Sequence, residues 1–371
     1  MRSDTRVRTS ARTGGPAVAE LRWYESACEL PSSQGDEHAL SGVFTSAEWL
    51  AALERTTVET VAARRYLSVV TAGSVPVNLP LYLTEASPLW RAYEHEARVP
   101  PVWRDRVVFA PSLYSFYGPI TAANASAVAG ALTMVESQAR RWGAQAVVLA
   151  NLTEPAVRAL SVQRPPSAAV RLDTSYRIEL GDSAESYFGT LKRRDRADLR
   201  RRWRRAGERG VLATELCGSR GRPRLAEFLA LADASARKNG TEPIYDLPTL
   251  NEMLELPGAR LLLAERHGEA LAGYLAFAYG QCLTLWSGGI RYDALHEFSP
   301  YVFLLYETIS LAYHRGWEVL DFGRGNGTFK SNHGASPVPL WSLFYLAHAG
   351  DPAIAGLRRL RERLSAGGPH A

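Results

Sequence analysis

The sequence predicts an α+β fold built from two similar halves, each a mixed, mainly antiparallel sheet flanked by helices. Three observations carry this expectation. One order of elements, hairpin then strand then helix then strand, occurs twice along the chain. Local sequence repeats with it: Tyr114-Ser115-Phe116-Tyr117-Gly118-Pro119-Ile120 answers Leu285-Trp286-Ser287-Gly288-Gly289-Ile290, and Arg141-Trp142-Gly143-Ala144-Gln145 answers His314-Arg315-Gly316-Trp317-Glu318. Finally, 371 residues that are 46% hydrophobic suffice for two ordinary domains with real cores. Two unrelated halves with a chance likeness remain the alternative.

Taken in order, the basic, Ser/Thr/Gly-rich segment 1–20 is expected to be a disordered tail, and the first domain to span 21–165. A helix is expected from Thr45 or Ser46, a plausible N-cap, to Glu59. Arg65 to Val70 and Val75 to Leu83 read as a hairpin around Ala72-Gly73-Ser74, with Pro76 and Pro80 pointing to an edge or bulge. Residues 84–106 read as an irregular insertion and Val107 to Tyr117 as a strand. Ala125 to Trp142 reads as a helix stopped by Gly143, and Ala146 to Ala150 as a buried strand. Arg164-Pro165-Pro166 is the expected boundary.

A second domain over 166–355 then begins with a helix from Ser183 to Ala206 and another from Ala226 to Lys238. Arg260 to Glu265 and Leu271 to Tyr279 form a hairpin around His267-Gly268-Glu269. Cys282 to Trp286 is a strand closed by Gly288-Gly289. Pro300 to His314 is a helix ended by Gly316, and Glu318 to Phe322 a strand leading into a glycine-rich loop. Residues 356–371 are expected to form a basic helix or tail.

Composition narrows the function classes. Cys28, Cys217 and Cys282 form neither a CxxC pair nor a metal-ligand spacing, so no metal site is expected and a reducing, cytoplasmic setting is. No run approaches the ~18 apolar residues of a membrane span. The net charge of +5 is concentrated: between Leu191 and Gly210 ten Arg or Lys face only Asp195, Asp198 and Glu208. The helix there sets Tyr187, Leu191, Leu199 and Trp203 on one side and cations elsewhere.

Several motifs stand out: Phe44-x-Ser46-x-x-Trp49-Leu50 and Tyr117-Gly118-Pro119 in the first half. In the second they are Tyr187-Phe188-x-x-Leu191, Gly273-Tyr274-Leu275-Ala276, Ser299-Pro300-Tyr301, Asp321-Phe322-Gly323-Arg324-Gly325 and Phe329-Lys330-x-x-x-Gly334-Ala335. In this order they resemble those of tandem GNAT-like proteins, a group that includes the Fem-type peptidoglycan aminoacyltransferases and many predicted bacterial N-acyltransferases. The resemblance covers roughly residues 40–350. It implies two GNAT-like domains and attack by a small-molecule or peptide amine on an activated acyl group, with acyl-CoA or aminoacyl-tRNA as co-substrate and no tightly bound cofactor. Between Ile290 and Tyr301 the chain lacks the glycines of a phosphate-binding loop and carries Asp293 and Glu297, so an aminoacyl-tRNA or carrier-protein donor stays open beside acyl-CoA. Only about 50 residues separate Leu191 from Tyr245, too few for the long helical arm of Fem-type proteins at ~1.5 Å per residue.

The candidate site centres on Asp321 to Lys330. Asp321, at a strand end, is a candidate to orient or deprotonate the amine, and Lys330 to hold an anion or act on the leaving group. Arg324 and Gly325 supply a guanidinium and a close backbone approach. His296 and Glu297 are further candidate bases. Tyr301 and Trp286 are candidates for donor or acceptor contacts, and Lys192 and Arg196 for a phosphate-bearing partner such as tRNA. The first half offers Tyr114, Tyr117 and Arg65, which would wall an acceptor pocket. A non-catalytic module that binds nucleic acid through the basic helix is the competing class.

Overall fold

The structure, a computed structural model, describes residues 19–31, 42–56, 58–85, 87–348 and 350–366. Most of the expected tail at 1–20 lies outside these residues. In chain order the elements are β1 (Glu20–Tyr24), α1 (Ala47–Glu54), β2 (Ala63–Val70), β3 (Val77–Thr84), α2 (Pro88–Glu96), β4 (Val107–Ala110), α3 (Ala125–Arg141), β5 (Ala146–Leu152), α4 (Glu154–Gln163) and β6 (Ala168–Glu179). There follow α5 (Ala184–Thr190), α6 (Arg193–Glu208), β7 (Leu212–Leu216), α7 (Leu225–Lys238), α8 (Leu247–Leu254), β8 (Ala259–Arg266), β9 (Glu269–Tyr279) and β10 (Cys282–Ile290). The chain ends with α9 (Leu295–Phe298), α10 (Pro300–Arg315), β11 (Val319–Arg324), α11 (Gly327–Asn332), β12 (Ser336–Leu346) and α12 (Ala353–Ala366).

Two compact units result. The first comprises residues 1–54, 59–174 and 338–371, and the second residues 55–58 and 175–337. The sequence reading had put the boundary at 165 and carried the second domain on to 355. Two long strands account for the difference: β6 runs through 174–175, and β12 enters the first unit at 338. Pro165-Pro166 only breaks the chain between α4 and β6.

Within the first unit β1, β2, β3 and β4 pair antiparallel in order, and β4 pairs parallel with β5. Within the second, β7, β8, β9 and β10 pair antiparallel in order, and β10 pairs parallel with β11. The helix before each parallel strand, α3 or α10, ends in a left-handed glycine, Gly143 or Gly316. The duplication seen in the sequence is therefore a repeated strand order. The last strand of each repeat is exchanged: β12 lies antiparallel beside β5, and residues 175–179 of β6 lie antiparallel beside β11.

Each sheet is covered by apolar helix faces. In the first unit Val128, Leu132 and Val135 of α3 pack on one face, while Trp90 of α2 and Leu357 and Leu360 of α12 join Trp103, Phe109 and Phe344 on the other. In the second, Phe303, Leu305 and Ile309 of α10 and Leu199 of α6 pack against Leu262, Tyr274, Leu283 and Leu285.

Several expected elements are corrected. The first helix stops at Glu54, not Glu59; Ser46 does cap it, its Oγ accepting Trp49 N–H at 3.1 Å. Residues 84–106 hold α2, opened by Pro88 at its first turn and driven by the buried Trp90 and Tyr93. Pro80 sits in an inner strand, at a point where pairing with β4 has ended at Tyr82, so no ladder bond to β4 is lost. The strand from Val107 ends at Ala110, before Pro111. The helix expected from Ser183 to Ala206 breaks at the extended Leu191-Lys192. Gly288 and Gly289 lie inside β10 rather than closing it.

Gly289 illustrates why. A Cβ there would stand 2.4 Å from the backbone of Leu231 and Ala232, so only glycine lets α7 lie against β10. Gly289→Ala is expected to lower stability by roughly 2 kcal/mol or more, as overpacking does. Gly130→Ala, in the middle of α3 with no neighbour within 4 Å of the added carbon, is expected to raise it by roughly 0.5–1 kcal/mol. Denaturant midpoints of the two variants check both signs.

Candidate active site

The parallel ladder between β10 and β11 is short. It runs from Cys282 opposite Val319 to Thr284 opposite Asp321 and stops, although β10 continues to Ile290 and β11 to Arg324. Both strands deviate at that point. On β10 the register against β9 shifts between Leu285 and Ser287, leaving Trp286 as an extra residue; on β11 the register against β6 shifts between Asp321 and Arg324. The two strands thus part, and β10 past Thr284 has backbone groups that no partner on the β11 side pairs in the register.

Asp321 and Lys330 fix the β11 side of this split. Asp321 is 1% exposed; its Oδ1 accepts the Gly323 N–H at 2.6 Å and the Ser175 hydroxyl at 3.1 Å. Lys330, 7% exposed, donates from Nζ to the carbonyls of Phe322 at 2.7 Å, Gly323 at 2.9 Å and Arg324 at 2.6 Å, and lies 5.7 Å from the Tyr176 ring centroid. Three consecutive carbonyls converge on one ammonium because Gly323, Gly325 and Asn326 take left-handed conformations. Gly327 completes the turn: a Cβ there would stand 2.1 Å from the Tyr176 hydroxyl. The lysine expected to act on an anion instead spends its three donors on its own loop. Its amine is buried and engaged, which is the setting of a structural cation.

An aromatic group flanks the other side. Tyr274 of β9 and Tyr301 of α10 meet edge to face at 5.1 Å. A Cβ on Gly288 would lie 3.4 Å from the Tyr301 hydroxyl, so this phenol stands beside β10 past the split. Burial pushes both phenols above their ordinary range and keeps them protonated donors at neutral pH. Phe329 continues the group, 5.3 Å from Tyr301 and 4.2 Å from His333. The half-buried His333 has Nδ1 2.7 Å from the Phe329 carbonyl, and burial lowers its pKa. Donation from Nδ1 in that contact would leave Nε2 as an acceptor.

The remaining predicted residues fall elsewhere. Trp286 is buried between Tyr245 at 4.6 Å and Phe277 at 5.7 Å. Arg324 and Gly325 are half-buried on the loop held by Lys330. His296 and Glu297 are exposed on α9, where the Glu297 carbonyl accepts from Arg209 at 3.0 Å. Neither makes a hydrogen bond or ion pair with Asp321, Lys330 or Arg324, so nothing orients them as bases there. Arg196 donates to the Phe188 carbonyl at 3.3 Å, and Trp203 stacks on Tyr306 at 4.3 Å and donates to Glu307 at 2.6 Å, which docks α6. Lys192, Arg193, Arg194, Arg204 and Arg205 are exposed and make no ion pair among the described residues.

Tyr274, Phe329 and His333 were missed as site residues. Tyr274 and Phe329 stood in the motifs quoted above, where they read as packing. Only the glycine opposite Tyr274, Gly288, carried a signal of close approach.

Residues 193–331 match the acetyltransferase (GNAT) domain family. The fold is that of FemX, with a TM-score of 0.58 at 13% identity over 85% of this chain and 94% of that one. It is also that of the C-terminal domain of a putative lysylphosphatidylglycerol synthetase from Agrobacterium fabrum (0.50, 12%, 75% and 83%) and of L-PGS from Bacillus licheniformis (0.50, 11%, 76% and 86%). No curated protein matches the chain in sequence. Among the described residues no helix is long and apolar enough to cross a membrane.

Replacing Lys330 by Met removes the ammonium and leaves three buried carbonyls without donors. The expected cost is about 3 kcal/mol, or a melting point lower by roughly 6–12 °C. Lys330→Ala is expected to cost at least as much, and a thermal melt checks both.

Proposed function

We propose that this chain, an acyltransferase of the GNAT superfamily, transfers an acyl or aminoacyl group to the amine of a small molecule or peptide at the split between β10 and β11. The observation that carries the reading is the end of their parallel ladder at Thr284 and Asp321, beside the extra residue Trp286. A carbonyl placed in the split meets the side of β10 that its ladder with β11 no longer covers. The amine nitrogen bonds to the acyl carbon, and the oxygen takes the negative charge on that side of β10. The carbon–sulfur or carbon–oxygen bond to the donor then breaks, and the proton shed by the attacking nitrogen replaces, through water, the one given to the leaving sulfur or oxygen. Backbone donors preorganised toward such an oxygen are each worth about 10²–10³ in rate. The Tyr301 hydroxyl beside Gly288 is placed to protonate the leaving group, and the Tyr274 ring packs edge to face against it. Asp321 and Lys330 position the loop and do not touch substrate.

A second reading of the donor has its own support. The segment before α10 folds as short helical turns, 292–294 and 295–298, with Pro300 at the first helical position. Proline lacks the N–H that a pyrophosphate would seek there. On α6 and just before it five exposed cations remain unpaired among the described residues. They suit a nucleic-acid phosphate backbone, and hence an aminoacyl-tRNA donor.

Thermal shift separates the donors. A rise in melting point with acetyl-CoA supports a thioester donor. A rise with deacylated tRNA that vanishes at high salt, and is lost when Arg193, Arg194, Arg204 and Arg205 become Gln, supports the second reading. Indifference to both contradicts the acyl-transfer proposal. With the donor in hand, Tyr301→Phe is expected to lower kcat by roughly 10²-fold with KM little changed.

A further inference from the structure

The first unit contains a cavity that takes no part in the features described above. Its volume is about 420 Å³, and it lies where the C-terminal end of α3, the start of β5, the turn at 164–167 and the end of β12 meet. All of its lining residues belong to that one unit. The volume falls within the ~300–1,000 Å³ of small-molecule sites. Ala139, Ala144, Ala146 and Val147 are buried and line the cavity, so short apolar side chains leave the space open.

Two cations line the same space, and both keep unused donors. The Arg164 guanidinium donates to Glu136 at 2.7 Å, and the buried Tyr345 phenol donates to the Arg164 carbonyl at 3.0 Å. Arg164 is thereby held by its side chain and its backbone. A guanidinium carries five N–H groups, so donors remain beyond the one given to Glu136. Arg140 stands one turn after Glu136 on α3. It gives one N–H to the Ser137 hydroxyl at 3.1 Å and makes no ion pair among the described residues. At the turn, the Ser167 oxygen accepts the Leu346 N–H at 3.2 Å and keeps its own O–H to donate.

This lining selects a ligand by charge and shape. Two guanidiniums face the single Glu136 carboxylate, so the surplus is one positive charge. The planar guanidinium fork matches the two oxygens of a carboxylate. A phosphate dianion would bring a second negative charge toward Glu136. The alanine-lined part has no polar side chain to offer and suits an apolar body.

We propose that this cavity binds an organic monocarboxylate with a compact apolar body. Arg140, Arg164 and the Ser167 hydroxyl take the carboxylate oxygens, and Ala139, Ala144, Ala146 and Val147 take the body. Binding here does not depend on acyl transfer. The test uses no acyl donor, and its failure leaves that reading standing.

Titration calorimetry on the full chain at neutral pH uses 2-naphthoate as the probe and 2-naphthamide as the uncharged control. The wild type is expected to bind 2-naphthoate and not 2-naphthamide. Arg140→Gln changes an exposed helical position that makes no ion pair, and it is expected to weaken binding roughly tenfold or more. Ala347→Phe, at a half-buried lining position, is expected to fill the space and abolish binding. Thermal melts close to that of the wild type would show both variants folded. Absence of 2-naphthoate binding to the wild type overturns the proposal, as does equal binding of 2-naphthamide or undiminished binding by Arg140→Gln. Displacement of 2-naphthoate by equimolar inorganic phosphate would make this a phosphate site and overturn the assignment to a carboxylate.

Discussion

One buried ammonium holds the segment on which the candidate site depends. Lys330 gathers the carbonyls of Phe322, Gly323 and Arg324. Carbonyls turned toward it are not available to a parallel ladder with β10. The ladder accordingly stops at Asp321, whose carboxylate starts the turn by holding the Gly323 N–H. The side of β10 past Thr284 that this ladder leaves uncovered is the opening in which chemistry is proposed. Close approach makes the arrangement possible: Gly323 and Gly325 supply the left-handed turn, Gly327 admits Tyr176, and Gly288 leaves room for the Tyr274 ring and the Tyr301 hydroxyl.

The duplicated strand order gives each unit a parallel pair after its helix, β4 with β5 and β10 with β11, but the chemistry around the two differs. In the second unit the pair parts beside phenols and a lysine-held loop. In the first, polarity lies instead around Glu59, where no loop lysine exists and a carboxylate faces hydroxyls.

Much of the second unit was legible because its signals are local. Gly268 and Gly316 mark a hairpin and a helix end, and the stripe at Leu199 and Trp203 follows helical spacing. The repeat of strand, helix and glycine exposed the duplication. The strand exchange was not legible, because β6 and β12 pair with distant strands and nothing in Pro165-Pro166 or Pro337 says where they go. Proximity in sequence grouped Asp321, Arg324 and Lys330, which share one turn. It misjudged the lysine, since a side chain folding back on carbonyls six to eight residues earlier looks the same in sequence as one reaching outward. Tyr274 and Tyr301 come together only across β9 and α10. Their aromatic character reads as core until the glycine opposite Tyr274 is noticed.

Hydrogen–deuterium exchange on the full chain, comparing the wild type with Lys330→Gln, tests the central claim most directly. If Lys330 holds the split open by ordering residues 322–330, the variant exchanges faster across that segment while β1 to β5 remain protected as before. Unchanged protection of 322–330 in a folded variant would show that the loop keeps its course without the ammonium, and would contradict the account.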